Sequence, residues 1–155
     1  MKSKELPKVL IVDDDPIFRE AYTAYFSRDF QVHSASDGDD AIHKLKKYYP
    51  DAILLDLRMP QVSGIDVLQY MKLWPRMRNI PVIVVTSQRV DGKIRQELDP
   101  LPNVCEAFEK TTSPKKILAE AVRMTGVGEL YRETPELFVR LRQMREESER
   151  RTTSR

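Results

Sequence analysis

Val9-Leu10-Ile11-Val12, followed at once by Asp13-Asp14-Asp15-Pro16, is the stretch on which the fold turns. Four successive β-branched or leucine side chains leave no polar face, the pattern of a strand covered on both sides in a parallel sheet. Acidic residues follow in place of a hairpin turn. Asp15 before Pro16 reads as an N-cap with proline at the first helical position, so the chain passes from strand into helix. Ile17, Phe18, Ala21, Tyr22 and Tyr25 then recur at helical spacing, and Tyr22, Tyr25 and Phe26 read as core.

The same grammar repeats outward. Ile53 to Leu55 and Val82 to Val85 are further apolar runs, ending in Asp56 and Thr86, with weaker strands over Gln31 to Ala35 and Val104 to Phe108. Between them, Ala41, Ile42, Leu45 and Tyr48 predict a second helix. Ile65, Leu68 and Met71 predict a third, starting just after Gly64 and ending near Trp74 and Pro75. A fourth, near Asp91 to Leu98, is cut short by Pro100 and Pro102. Ser113 and Pro114 launch a fifth that ends at Gly126. Alternating strands and helices make an α/β, doubly wound, five-stranded parallel sheet.

Residues 1–7 read as an N-terminal tail, 8–125 as the domain, and 126–155 as a C-terminal helical extension. In that extension Thr134 and Pro135 open a sixth helix whose stripe is Leu137, Phe138, Leu141 and Met144. Beyond Met144 charges dominate, so the end should fray. Such a stripe needs a partner surface, either the domain itself or a second copy.

Of 155 residues, 41% are hydrophobic and 32% charged, which describes a globular chain. The 26 basic and 24 acidic side chains leave a net charge of only +2, so the total points to neither a nucleic-acid nor a membrane surface. Cys105 stands alone, and no Cys/His cluster has metal-ligand spacing. The run Val9 to Val12 is far too short for a signal-peptide core or a membrane span. The cytoplasm is the expected compartment.

Ligands of doubly wound sheets bind at the carboxyl ends of the strands, where Asp13, Asp14, Asp56, Thr86 and Lys110 would all converge. Clustered carboxylates repel one another unless a hard cation such as Mg²⁺ lies between them. A carboxylate can also attack phosphorus, with the protein positioning groups and neutralising the equatorial oxygens. Taken singly, each residue has a duller reading as helix cap, turn carboxylate or surface lysine, and for Asp15 the cap suffices. His33 and His43 are isolated and have no assigned role.

The conjunction of Val9 to Pro16, Leu54-Leu55-Asp56-Leu57-Arg58-Met59-Pro60 with Gly64, Val85-Thr86 and Lys110 resembles the response-regulator receiver family over about residues 8 to 125. The resemblance implies a flavodoxin-like strand order 2-1-3-4-5, as in chemotaxis regulators. It further implies a bacterial two-component system in which Asp56 accepts phosphate from a histidine kinase or phosphotransfer protein. Asp13, Asp14, Asp56 and the backbone carbonyl of Arg58 would hold Mg²⁺, with Asp14 the more direct ligand of the acidic pair, while Thr86 and Lys110 serve the phosphoryl group. The chain would be no enzyme beyond slow self-hydrolysis of its aspartyl phosphate.

Three positions depart from the family pattern. Thr111 follows Lys110 where proline is usual; Ala107 stands where an aromatic switch residue is usual, with Phe108 on the opposite face; and the stretch from Thr86 to Lys110 is about two residues long. These departures keep open a pseudo-receiver that works without phosphate, and the chain could equally be the front of a longer regulator. A haloacid-dehalogenase-like phosphatase would need a cap over the site, which the sequence lacks. About thirty residues after Gly126, with seven arginines against six glutamates, cannot supply a helix-turn-helix domain. Output through protein contacts, with a downstream protein target and a possible homodimer, is therefore expected.

Overall fold

The apolar runs become strands because they can be buried on both faces. The computed structural model describes residues 5–126 together with Gln143, Glu147, Arg150 and Arg151. Strands β1 (Lys8–Val12), β2 (Gln31–Ala35), β3 (Ala52–Leu55), β4 (Val82–Thr86) and β5 (Val104–Glu109) alternate with helices α1 (Pro16–Phe26), α2 (Gly38–Tyr48), α3 (Gly64–Lys72), α4 (Gly92–Leu98) and α5 (Pro114–Thr125). The strands form one parallel sheet in the order β2-β1-β3-β4-β5. The direction of winding reverses between β1 and β3, so their carboxyl ends flank the topological switch point.

Period-2 alternation sorts the strand side chains into two cores. Leu10, Val12, Ile53, Leu55, Val82 and Val84 meet α2, α3 and α4 through Leu45, Leu68, Met71 and Ile94. Val9, Ile11, Leu54, Ile83 and Val85 meet α1 and α5 through Tyr22, Phe26, Ile117 and Ala121. Nearly all of these side chains are almost completely buried, each worth about 1.5–3 kcal/mol for the larger aliphatics and Phe.

Caps fix where the helices begin. Asp15 accepts from the Ile17 amide, Asp37 from Asp40, and Asp91 from Lys93 and Ile94, while Ser63 and Asp66 form a reciprocal capping box. Each such cap contributes about 1 kcal/mol. Ser113 departs from expectation: it occupies the N-cap position of α5 but its side chain makes no capping bond. Pro114 holds the preceding residue extended, and the Ser113 carbonyl serves the helix start instead, accepting from Lys116 and Ile117.

The register between β4 and β5 passes from Val82 opposite Val104 to Ile83 opposite Glu106. Cys105 is thus a bulge that takes up one residue of the long stretch between Thr86 and Lys110. Downstream of it, Ala107 packs with the α2–α4 core and Phe108 with the α1–α5 core, so the two do face opposite ways. The sixth helix expected from Thr134 falls outside the described residues, apart from Gln143, which is helical. Glu147, Arg150 and Arg151 are helical too, where fraying was expected. Glu147 precedes Arg151 by four residues, a spacing that favours helix without any apolar partner.

Candidate functional site

Four loops at the carboxyl edge of the sheet bring the site together. Asp13 follows β1 and Asp56 follows β3; both are buried, at 1% and 3% exposure, and Thr86 at the end of β4 is wholly buried. Asp14 lies exposed beside them. Carboxylate oxygens of Asp13, Asp14 and Asp56 all lie within 4.8 Å of one another. Lys110, one residue past β5, reaches across with Nζ 2.9 Å from Asp13 Oδ2 and 3.3 Å from Asp56 Oδ2. Thr111 in place of proline therefore does not misdirect the lysine; the Lys110 amide donates to the Thr86 carbonyl at 2.8 Å and anchors its backbone.

Each acidic side chain is held by its own loop. Asp13 Oδ1 accepts from the Asp15 amide at 2.9 Å, and Asp56 Oδ1 from the Arg58 amide at 3.3 Å. Thr86 Oγ1 accepts from the Gln88 amide at 3.2 Å, which leaves its own proton free to donate. Gly64 allows the β3–α3 loop to close, since a Cβ there would collide with the Asp56 carbonyl oxygen and lie 2.8 Å from Leu57 Cα. In the same loop Gln61 takes a left-handed φ of 66°.

Burial is the largest influence on both inner acids and pushes their carboxyls above the ordinary range. For Asp56 the charge of Asp13 adds to it, against the opposing pull of Lys110 and the Arg58 amide. Burial also opposes the charge on Lys110, but the two carboxylates together outweigh it and the ammonium is held more firmly protonated. Three carboxylates against one ammonium leave a surplus of two negative charges. Asp13 Oδ2 makes no aligned hydrogen bond despite its ion-pair contact with Lys110. Oxygen-only donors, surplus negative charge and one unsatisfied buried acceptor fit a hard divalent cation such as Mg²⁺.

Two neighbours carried no sequence signal for the site. Arg19 Nη1 donates to the Asp13 carbonyl at 2.7 Å and braces the β1–α1 turn. The Phe18 ring lies 4.6 Å from Lys110 Nζ and gives the ammonium an apolar face to rest on. Helical spacing places Phe18 on the apolar stripe of α1, and only the return of α1 over β1 brings it under the lysine. The Arg58 guanidinium and the Gln88 amide lie against each other, and with the amide oxygen turned toward the guanidinium it accepts from Arg58 Nε and Nη2, so the side chains two residues beyond Asp56 and Thr86 meet. Ala107 reaches none of these groups; it packs with the α2–α4 core.

Comparison with known proteins agrees with this geometry. The response regulator receiver domain model matches residues 9–121. The response regulator protein VraR of Staphylococcus aureus is 35% identical over 138 residues, covering 87% of this chain and 63% of the relative. The chain thus spans less than two thirds of the length of the curated relatives it matches. Among solved structures, the chemotaxis protein CheY4 of Vibrio cholerae superposes with a TM-score of 0.70 at 23% identity, covering 77% of this chain and 98% of that one. The receiver domain of the sensor histidine kinase PA1611 from Pseudomonas aeruginosa, solved with a magnesium ion in its active-site cleft, gives 0.69 at 22% identity over 77% and 98%. With the sheet order, the four converging loops and a family match over most of its length, the chain belongs to the response regulator receiver domain family of two-component systems.

Proposed function

We propose that Asp56 accepts a phosphoryl group from a histidine kinase or phosphotransfer protein, and that the phosphorylated domain acts on a downstream protein. The observation that carries this reading is Lys110 Nζ lying between two buried carboxylates at a switch point, beside a buried hydroxyl with a free proton. An Asp56 oxygen attacks phosphorus, the bond from phosphorus to the donor's imidazole nitrogen breaks with its electrons leaving on that nitrogen, and an acyl phosphate forms. Lys110 and the Thr86 hydroxyl then donate to phosphoryl oxygens. Asp13, Asp14, Asp56 and the Arg58 carbonyl would hold Mg²⁺, which supplies neutralisation of the negative charge crowded at the site. The cation in the cleft of the related kinase receiver supports this assignment.

Residues 8–125 form the receiver unit and 126–155 an extension, and output runs through protein contacts, with self-association one form they could take. Among the described residues no helix is long and apolar enough to cross a membrane, and a cytoplasmic site of action follows from the kinase partner. The test is intact-mass analysis after incubation with acetyl phosphate. Wild type should gain one phosphoryl group only with Mg²⁺ present, and Asp56→Asn should gain none. Equal labelling of Asp56→Asn would sink the assignment, and an unlabelled wild type would make the chain a pseudo-receiver.

A further inference from the structure

At the edge of the sheet opposite the acidic site, the end of α3 carries an apolar surface that nothing described covers. Leu73 is 77% and Trp74 48% exposed. The segment is well anchored: the Leu73 and Trp74 amides donate to Tyr70 and Met71, and the Trp74 carbonyl accepts from Met77 and Arg78. Its exposed side chains are thus presented on ordered backbone. Tyr70 lies 6.0 Å from Trp74, Lys46 Nζ sits over both rings at 5.3 and 6.0 Å, and Arg76 stacks 3.7 Å above Tyr49. Lys72 at the end of α3 and Arg78 in the turns that follow it are both exposed.

Among the described residues no ion pair joins Lys46, Lys72, Arg76 or Arg78 to an acid, whereas Lys44 is paired with Asp40. Residues 67–90 include Lys72, Arg76, Arg78 and Arg89 without one Asp or Glu. A near-neutral total thus conceals a cationic, aromatic patch at the carboxyl ends of α2 and α3. Such a surface fits an apolar segment carrying negative charge.

The chain itself contains that segment. Residues 127–139, outside the described range, hold Glu129, Glu133 and Glu136 against Arg132 alone, interleaved with Leu130, Tyr131, Leu137 and Phe138. They begin at the carboxyl end of α5, which returns to the same edge of the sheet as the end of α3. Crossing beneath the sheet from one helix layer to the other takes roughly 20 Å, and the eleven residues from Gly126 to Leu137 can span about 36 Å. We propose that residues 127–139 dock on the Leu73–Trp74 surface of the same molecule, setting their glutamates against Lys46, Lys72, Arg76 and Arg78.

Trp74 is the chain's single tryptophan, so its fluorescence reports this surface directly. In the full chain its emission should be blue-shifted and poorly quenched by acrylamide at every protein concentration. Glu129→Lys, Glu133→Lys and Glu136→Lys together should red-shift it and raise the quenching constant by about twofold, in proportion to the undocked population. Adding Lys72→Glu, Arg76→Glu and Arg78→Glu should restore protection. Leu137→Ser with Phe138→Ser, which leaves every charge in place, should expose Trp74 as the charge reversal does. Quenching that is high in wild type, or unmoved by either tail variant, overturns the proposal. Failure of the reciprocal charges to restore protection overturns it as well, and protection that appears only as concentration rises assigns the surface to a second copy instead.

Discussion

At the scale of residues, the site holds its acids at a cost to the fold. Asp13 is raised chiefly by burial, so the folded state binds its proton more tightly than the unfolded chain does. That contribution to stability is complete below the ordinary carboxylate value near 3.8 and is lost as pH rises through the raised value. At neutral pH without Mg²⁺ the ionised acid is therefore a liability. Asp13→Asn should raise the metal-free melting temperature by a few degrees, equivalent to about 1 kcal/mol, and the gain should shrink as the pH is lowered toward the acid range. Added Mg²⁺ should stabilise wild type and reverse the order of the two proteins. Calorimetry at several pH values, with and without Mg²⁺, checks all three. The Arg58–Gln88 pair makes a second residue-scale prediction. An arginine cannot act as a base for attacking water, and beside a phosphorylated Asp56 it would shield the phosphorus and offer charge-assisted hydrogen bonds to its oxygens. Arg58→Ala should speed loss of phosphate from Asp56 by about tenfold or less, an effect of the size of one ordinary hydrogen bond. Decay followed by intact mass would show it; a rate unchanged or slowed would refute the shielding role.

Elements matter here through the loops that end them. Gly64 is the tightest case, because the first turn of α3 lies against the Asp56 carbonyl with no room for a methyl group. Gly64→Ala should cost about 1–3 kcal/mol in urea denaturation and slow labelling of Asp56, since the loop must shift to admit the new atom; full stability with full labelling would show that the loop yields freely. Much of this was legible in sequence. Apolar runs mark strands buried on both faces, and Asp15 with Pro16 marks a helix start through chemistry that needs no tertiary context. The convergence of Asp13, Asp56, Thr86 and Lys110 was legible because each follows a strand and the sheet is parallel. Contacts fixed only by packing were not. Phe18 follows the helical spacing of α1 and packs against the α1–α5 core, but nothing in the spacing shows that its ring also lies under Lys110; Arg19 reaches back to a carbonyl six residues earlier, and the bulge at Cys105 leaves no mark in composition. Ser113 shows the opposite error: the right residue stands at the cap, but the proline beside it dictates the backbone and the hydroxyl goes unused.

Across the whole molecule, the site must communicate with surfaces that a partner can touch. Ala107 offers no ring to swing between buried and exposed positions, and it sits against the core beneath α4. The remaining link runs from Thr86, whose Oγ1 holds the Gln88 amide, into the loop leading to α4. On that path the Val90 amide donates to Glu109, the neighbour of Lys110, so Thr86 and the end of β5 are tied to one loop. α4 itself is only seven residues long, Gly92–Leu98, and the chain turns at Asp99-Pro100-Leu101-Pro102. A helix that short has little stability of its own, which suits it to an order–disorder response. The phosphorylated state can bias it only through differential contacts, and the Thr86 hydroxyl and Lys110 ammonium are the groups able to make them. If Thr86 releases the Gln88 amide to donate to phosphate, protection should change from Ser87 to Asn103. Hydrogen exchange with and without beryllofluoride should show that change in wild type, while Thr86→Ala should bind the ligand at Asp56 and leave α4 unaltered. Protection confined to the surroundings of Asp56, or a change in α4 that survives in Thr86→Ala, would place the coupling elsewhere.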